Sequence, residues 1–129
     1  MRINHISIAA RDIQKFAELY EVLFGIKFKP ATLLEGQKVY LSFGETEGTG
    51  LELISPATDD SPVSKFLDKR GEGLHHVCFE VENLEQSLQS LKSKGVEIIG
   101  EPSEGGTGKK IVFLHPRSTG GVLIELKES

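Results

Sequence analysis

Four side chains in this 129-residue sequence have the types and the spacing to share one piece of chemistry: His5, Glu52, His76 and Glu125. His5 opens the run His5-Ile-Ser-Ile-Ala-Ala-Arg-Asp12-Ile13, and 71 residues later His76 opens His76-Val-Cys-Phe-Glu-Val-Glu-Asn83-Leu84. Each acid sits in a matching phrase, Gly50-Leu51-Glu52-Leu53-Ile54 and Gly121-Val122-Leu123-Ile124-Glu125-Leu126, so that His to Glu measures 47 residues in one copy and 49 in the other. Successive side chains of a strand leave opposite faces. On that alternation both histidines and both glutamates turn away from the apolar side of their strands. Two imidazoles and two carboxylates make a complete set of donors for a divalent metal of borderline softness, with positions left for water or substrate. A single His or Glu on a strand is most often an ordinary surface residue. Solvent exposure, however, does not explain the same letter at matched places in both halves. His75 has the opposite parity, with Val77 and Phe79, and is expected to be a buried, hydrogen-bonded histidine rather than a ligand. Cys78 shares the His76 face beside Glu80 and reads as a small, semi-buried residue.

The elements that must position these residues repeat as well. From Ile3 to Ala10 apolar and other residues alternate as in a half-buried strand, with Ile6, Ile8 and Ala10 on one face and His5, Ser7 and Ala9 on the other. Asp12 is a good N-cap, and Ile13, Phe16, Tyr20 and Leu23 follow at helical spacing up to Gly25, which predicts a helix over about 12–24. In the second copy Asn83 and Gln86 form a capping-box pattern ahead of Leu84, Leu88 and Leu91, and Gly95 ends that helix. Three strand-like runs follow each helix, over about 26–30, 37–44 and 49–55, then about 96–100, 110–115 and 121–127. Ser61-Pro62 supplies an N-cap and first-turn proline for a short linker helix over about 61–70, packed through Val63, Phe66 and Leu67. The expectation is an α+β chain forming a single domain over 1–129: a βαβββ module over about 1–55, the linker helix, and a second βαβββ module over about 73–129.

Composition narrows the function classes. Fifteen Lys and Arg against nineteen Asp and Glu give a net charge of −4, which disfavours nucleic acid and anionic membrane surfaces as partners. One cysteine forms no intrachain disulfide, no apolar run reaches the roughly 18 residues of a spanning helix, and the N-terminus lacks a signal-peptide core. The expected location is the cytoplasm.

Taken in order, Asn4-His5-Ile-Ser-Ile-Ala9, Leu51-Glu52-Leu53-Ile54-Ser55-Pro56, Asp60-Ser61-Pro62-Val63, Gly73-Leu74-His75-His76-Val77 and Phe113-Leu114-His115-Pro116 leading into Gly120–Leu126 resemble the vicinal oxygen chelate (glyoxalase/bleomycin-resistance) superfamily over nearly the full length. Within it the chain looks most like the methylmalonyl-CoA epimerase branch. The resemblance implies a curved, cup-like mixed sheet with helices on its outer face. It also implies one divalent ion per site, cobalt, nickel, manganese or zinc, held by His5, Glu52, His76 and Glu125, and an acyl-CoA thioester substrate and a homodimer. The implied reaction interconverts the 2R and 2S forms of methylmalonyl-CoA by abstraction of the α-proton through a metal-stabilised enolate, with Glu125 as the available base. Some family members carry a catalytic glutamate on the strand that here reads Gln37-Lys-Val-Tyr-Leu-Ser-Phe43. No second base is therefore named; if Glu125 is not the base, the places to look are the strand around Lys38 and Tyr40 or a metal-bound water. Two alternatives stand beside this reading: a glyoxalase I-type lyase acting on a glutathione hemithioacetal, and a non-catalytic binder of a small molecule. Glu104-Gly-Gly-Thr-Gly-Lys-Lys110 is either a loop that meets coenzyme A phosphates or a flexible turn, and Lys109, Lys110 and Arg117 are either anion contacts or solvated.

Overall fold

Local capping chemistry sets the helices where the sequence places them. A computed structural model describes residues 1–129. Asp12 is extended and its carboxylate accepts from the amides of Gln14 and Lys15, opening α1 (Ile13–Phe24); Gly25, at φ 69°, closes it in the left-handed region that a side chain disfavours. Ser61 accepts from the Val63 amide and Pro62 fills the first turn of α2 (Pro62–Arg70). Asn83 accepts from the Gln86 amide at the start of α3 (Leu84–Ser93), and Glu128 takes the Leu84 amide at 2.9 Å, so two side chains serve that end.

The strands are β1 (Arg2–Ala9), β2 (Thr32–Leu34), β3 (Val39–Gly44), β4 (Gly50–Pro56), β5 (Gly73–Val81), β6 (Ile98–Glu104), β7 (Lys110–Leu114) and β8 (Ile124–Glu128), giving two modules of mixed sheet in an α+β chain. Two compact units result, one of His5–His75 and one of Met1–Asn4 with His76–Ser129. In the first the strand order is β2-β3-β4-β1, and in the second β5-β8-β7-β6. Each module pairs its first and last strands in parallel and its other neighbours antiparallel. Register places Ser7 beside Glu52 and Cys78 beside Glu125, with Phe43 and Phe113 opposite the same two acids.

Each module has a core between its long helix and one sheet face. In the first unit Ile8, Ile13 and Leu53 are buried with Phe16, Ala17, Tyr20 and Leu51 against them. In the second, Val81, Leu84, Leu88, Val112, Leu114, Ile124 and Leu126 form the core. The linker helix adds a third cluster on the other face of the first sheet, where Ala9, Val39, Leu41 and Ile54 pack with Val63 and Leu67. So the face that carries His5 is not simply solvated: α2 caps one end of it with apolar side chains.

Two expectations change. The run over 26–30 is not a strand; it makes a single bridge, Phe28 to Gly44, and the pairing strand is Thr32–Leu34. Pro30 is the physical reason, since it has no N–H to give a ladder. His75 is only half-buried, its ring edge-on to Phe66 at 4.7 Å, because it lies near the start of β5 where α2, rather than the module core, is its neighbour.

Candidate functional site

The His and Glu of each module meet. In the first unit His5 Nε2 lies 3.9 Å from Glu52 Oε1, with the side chains 4% and 8% exposed. In the second, His76 Nε2 lies 2.7 Å from Glu125 Oε2 at the same burial. Parallel pairing of β1 with β4 and of β5 with β8 brings residues so distant in sequence side by side. Burial of this depth is unusual for imidazole and carboxylate and demands a partner for each.

Further residues belong to these pairs that the sequence did not flag. Ser7, fully buried, donates its hydroxyl to Glu52 Oε1 at 2.8 Å. Phe43 meets the His5 ring edge-on at 5.8 Å, and Phe113 meets His76 in the same way at 5.3 Å. The signal for the two phenylalanines was present, because Ser42-Phe43 and Val112-Phe113 occupy matching places in the two copies. Cys78 is completely buried rather than semi-buried, in register with Glu125.

Other candidates are placed elsewhere. Tyr40 lies on the α1 side of β3, lining a cavity of about 670 Å³ with Ser42 and Ser55, which is the face opposite Glu52. The ammonium of Lys38 is bonded to Asp60, and that hydrogen bond is the main reason the Asp60 carboxyl falls from 3.8 to about 2. Neither is therefore positioned as a base at Glu52. Residues 105–109 form the turn of the β6–β7 hairpin, closed by the Gly105 amide to Lys109 O at 2.8 Å. Arg117 is paired with Glu97 at 3.2 Å.

The Glyoxalase/Bleomycin resistance protein/Dioxygenase superfamily profile matches residues 4–113, and the chain belongs to that superfamily. Among its curated relatives, the mitochondrial methylmalonyl-CoA epimerase of Homo sapiens is 37% identical over 99% of this chain and 74% of its own length. The ethylmalonyl-CoA/methylmalonyl-CoA epimerase of Cereibacter sphaeroides is 34% identical over 98% of this chain and 97% of its own. Among solved structures, a methylmalonyl-CoA epimerase in complex with methylmalonyl-CoA and NH4+ superposes with a TM-score of 0.91 at 35% identity, covering 99% of this chain and 94% of the other. These likenesses bear out the expected fold and the resemblance drawn from the sequence phrases.

Proposed function

We propose that this protein is an epimerase that interconverts the 2R and 2S forms of methylmalonyl-CoA, with one divalent ion held by His5, Glu52, His76 and Glu125. The observation that carries the reading is the buried His–Glu pair found once in each module, in a chain similar over its whole length to methylmalonyl-CoA epimerases. The donor chemistry fits such an ion: each pair offers an imidazole nitrogen and a carboxylate oxygen, and Ser7 orients one of the acids. When bound there, a divalent ion supplies Lewis acidity for the negative charge that develops on the thioester oxygen. The chain's own residues do the rest. Glu125 accepts the α-proton at its carboxylate, and the 2.7 Å contact from His76 fixes where that carboxylate lies. Phe43 and Phe113 pack edge-on against the two imidazoles. The same reading makes the protein a cytoplasmic enzyme and a homodimer, the latter read by light scattering against 14.2 kDa per chain.

The test is solvent exchange. Metal-loaded protein incubated with methylmalonyl-CoA in deuterated water is expected to introduce deuterium at the α-carbon and to equilibrate the two epimers. The Lactoylglutathione lyase of Schizosaccharomyces pombe, 30% identical over 81% of this chain and 40% of its own length, marks the alternative chemistry. Turnover of a glutathione hemithioacetal without α-exchange on the thioester overturns the epimerase reading. Binding without turnover of either substrate leaves a non-catalytic binder.

A further inference from the structure

The two long helices cover their sheets unequally. In the first module Phe16 and Tyr20 of α1, with ring centroids 6.0 Å apart, fill the space over Ile8, Leu51 and Leu53. The residues at matched places in the second copy are Ser87 and Leu91, over Phe79, Ile124 and Leu126. A hydroxymethyl and an isobutyl group thus replace two aromatic rings, and a cavity of about 870 Å³ opens there, lined by all five of those residues. Exposure follows the same difference: Ile8 is buried, whereas its counterpart Phe79 is only half-buried beneath α3. The volume is that of a small-molecule pocket, and the lining is mostly apolar with a few hydroxyl and amide groups, as such pockets are. Its rim carries Met1, Ile3 and Val122, which are 92%, 42% and 46% exposed, so three large apolar side chains left uncovered in this unit gather at one place.

Charge selects the ligand. Lys94, just past the end of α3, is the one ionisable side chain lining the cavity. The cavity beside Tyr40 in the first module is instead lined by Arg11, Lys29, Asp12, Glu18 and Glu21, charges of both signs that favour no single ligand. We infer that the cavity beneath α3 binds a single-tailed anionic amphiphile, a monocarboxylate whose aliphatic tail lies on Phe79, Ile124 and Leu126 and whose head meets Lys94 at the exposed rim. The tail supplies the contacts that Phe16 and Tyr20 make in the other copy, and its burial against apolar walls is the driving term. The ammonium, being exposed, adds selection by charge more than affinity. By strand alternation this site occupies the face of β5 and β8 opposite the one that carries His76 and Glu125, so it is separate from the proposed catalytic residues and independent of their role.

Decanoate is the probe, titrated into the full chain by calorimetry below its micelle concentration, with decanol as the uncharged comparison. Wild-type protein is expected to take up decanoate at one site per chain with a negative heat-capacity change, the mark of apolar burial. Ser87→Phe, which puts in the ring that the first copy carries as Phe16, is expected to weaken that binding at least about 10-fold, since a single methylene of pocket space is worth that much. Its rate of α-proton exchange on the thioester is expected to match wild type. Lys94→Gln is expected to weaken decanoate about 2- to 5-fold, the range of an exposed ion pair, and to leave decanol unchanged. Thermal melts establish that each variant is folded, and Val122→Glu, which sets a like charge on the exposed rim, stands in with the same expected loss if Ser87→Phe does not fold. No uptake by wild type, or undiminished binding in the folded variant that closes the cavity, overturns the inference. Equal loss of decanoate and decanol in Lys94→Gln, or loss of neither, overturns the choice of an anionic head. A wild-type dimer in light scattering that Ser87→Phe or Val122→Glu dissociates, with no uptake of decanoate, gives the cavity to a second copy of the chain and overturns the inference as well.

Discussion

Removing His76 tests the buried pair at its most exposed energetic point. In metal-free protein the imidazole is the 2.7 Å partner of a carboxylate whose side chain is 8% exposed, so His76→Ala strips a polar partner from a buried acid rather than from a solvated one. Breaking a buried pair from one side costs about 3–5 kcal/mol, because the remaining charge keeps its desolvation penalty. The edge-on contact with Phe113 goes too, about 0.5–1.5 kcal/mol that overlaps with the first figure. At roughly 3–4 °C per kcal/mol for a chain of this length, the expected fall in Tm is about 10–20 °C. His75→Ala is the internal control: that ring is half-buried with one edge on Phe66, and about 0.5–1.5 kcal/mol is at stake. Adding Glu125→Gln to His76→Ala replaces the carboxylate with a neutral amide and should recover at least half of the loss, since replacing both members of a buried pair is often close to neutral. The assay is urea unfolding with chelator present throughout, so that the pair is read without any bound ion. A His76→Ala cost below about 1 kcal/mol, or one smaller than that of His75→Ala, refutes the claim that the second module stores a buried pair. No recovery in the double variant refutes the electrostatic explanation and leaves packing in its place.

Glu125→Gln alone should retain much of the metal through its amide oxygen yet lose about 10²- to 10⁴-fold in α-proton exchange, read by deuterium incorporation; exchange at nearly the wild-type rate places the base elsewhere. Asp60 carries a lowered carboxyl pKa, so its contact with Lys38 adds stability that is complete above 3.8 and is lost as pH falls through about 2. Lys38→Ala should return the Asp60 titration, followed by NMR, towards 3.8, and an unmoved titration contradicts the assignment of that contact as the main cause. Gly105→Ala sets a Cβ 2.7 Å from Ile111 Cγ2 in the β6–β7 hairpin and should destabilise by about 1–3 kcal/mol in a thermal melt, whereas a neutral result means the hairpin yields to the methyl.

Capping residues made the helices legible. Asp12, Ser61-Pro62 and Asn83 act through atoms two or three residues away, so sequence alone carries the interaction. Strand faces were legible for the same reason: alternation is local, and it put His5, Glu52, His76 and Glu125 on the faces where they are found. What alternation does not carry is register. Ser7 was assigned to the His5 face, but its bond to Glu52 depends on which residue of β4 lies alongside, and no local pattern states that Ser7 falls opposite Glu52 and not two residues away. His75 shows the complementary gap. Its face is the expected one, yet burial depends on how far along the strand the covering helix reaches, and near the beginning of β5 the ring meets Phe66 of α2 edge-on and stays half-buried. The break at Pro30 is readable in the sequence, since a residue without an N–H ends a ladder wherever it stands.

Parallel pairing of each module's first and last strands also governs when these side chains meet. The antiparallel neighbours, β2 with β3 and β4, and β6 with β7 and β8, are joined by short connections and close early at small entropic cost. His5 and Glu52, or His76 and Glu125, come together only when strands 47 or 49 residues apart in the chain dock. Non-local closures of this kind belong to the late, slow part of a folding reaction. An ion held as proposed would have nothing to grip before that docking, so it would slow unfolding and leave the folding rate almost unchanged.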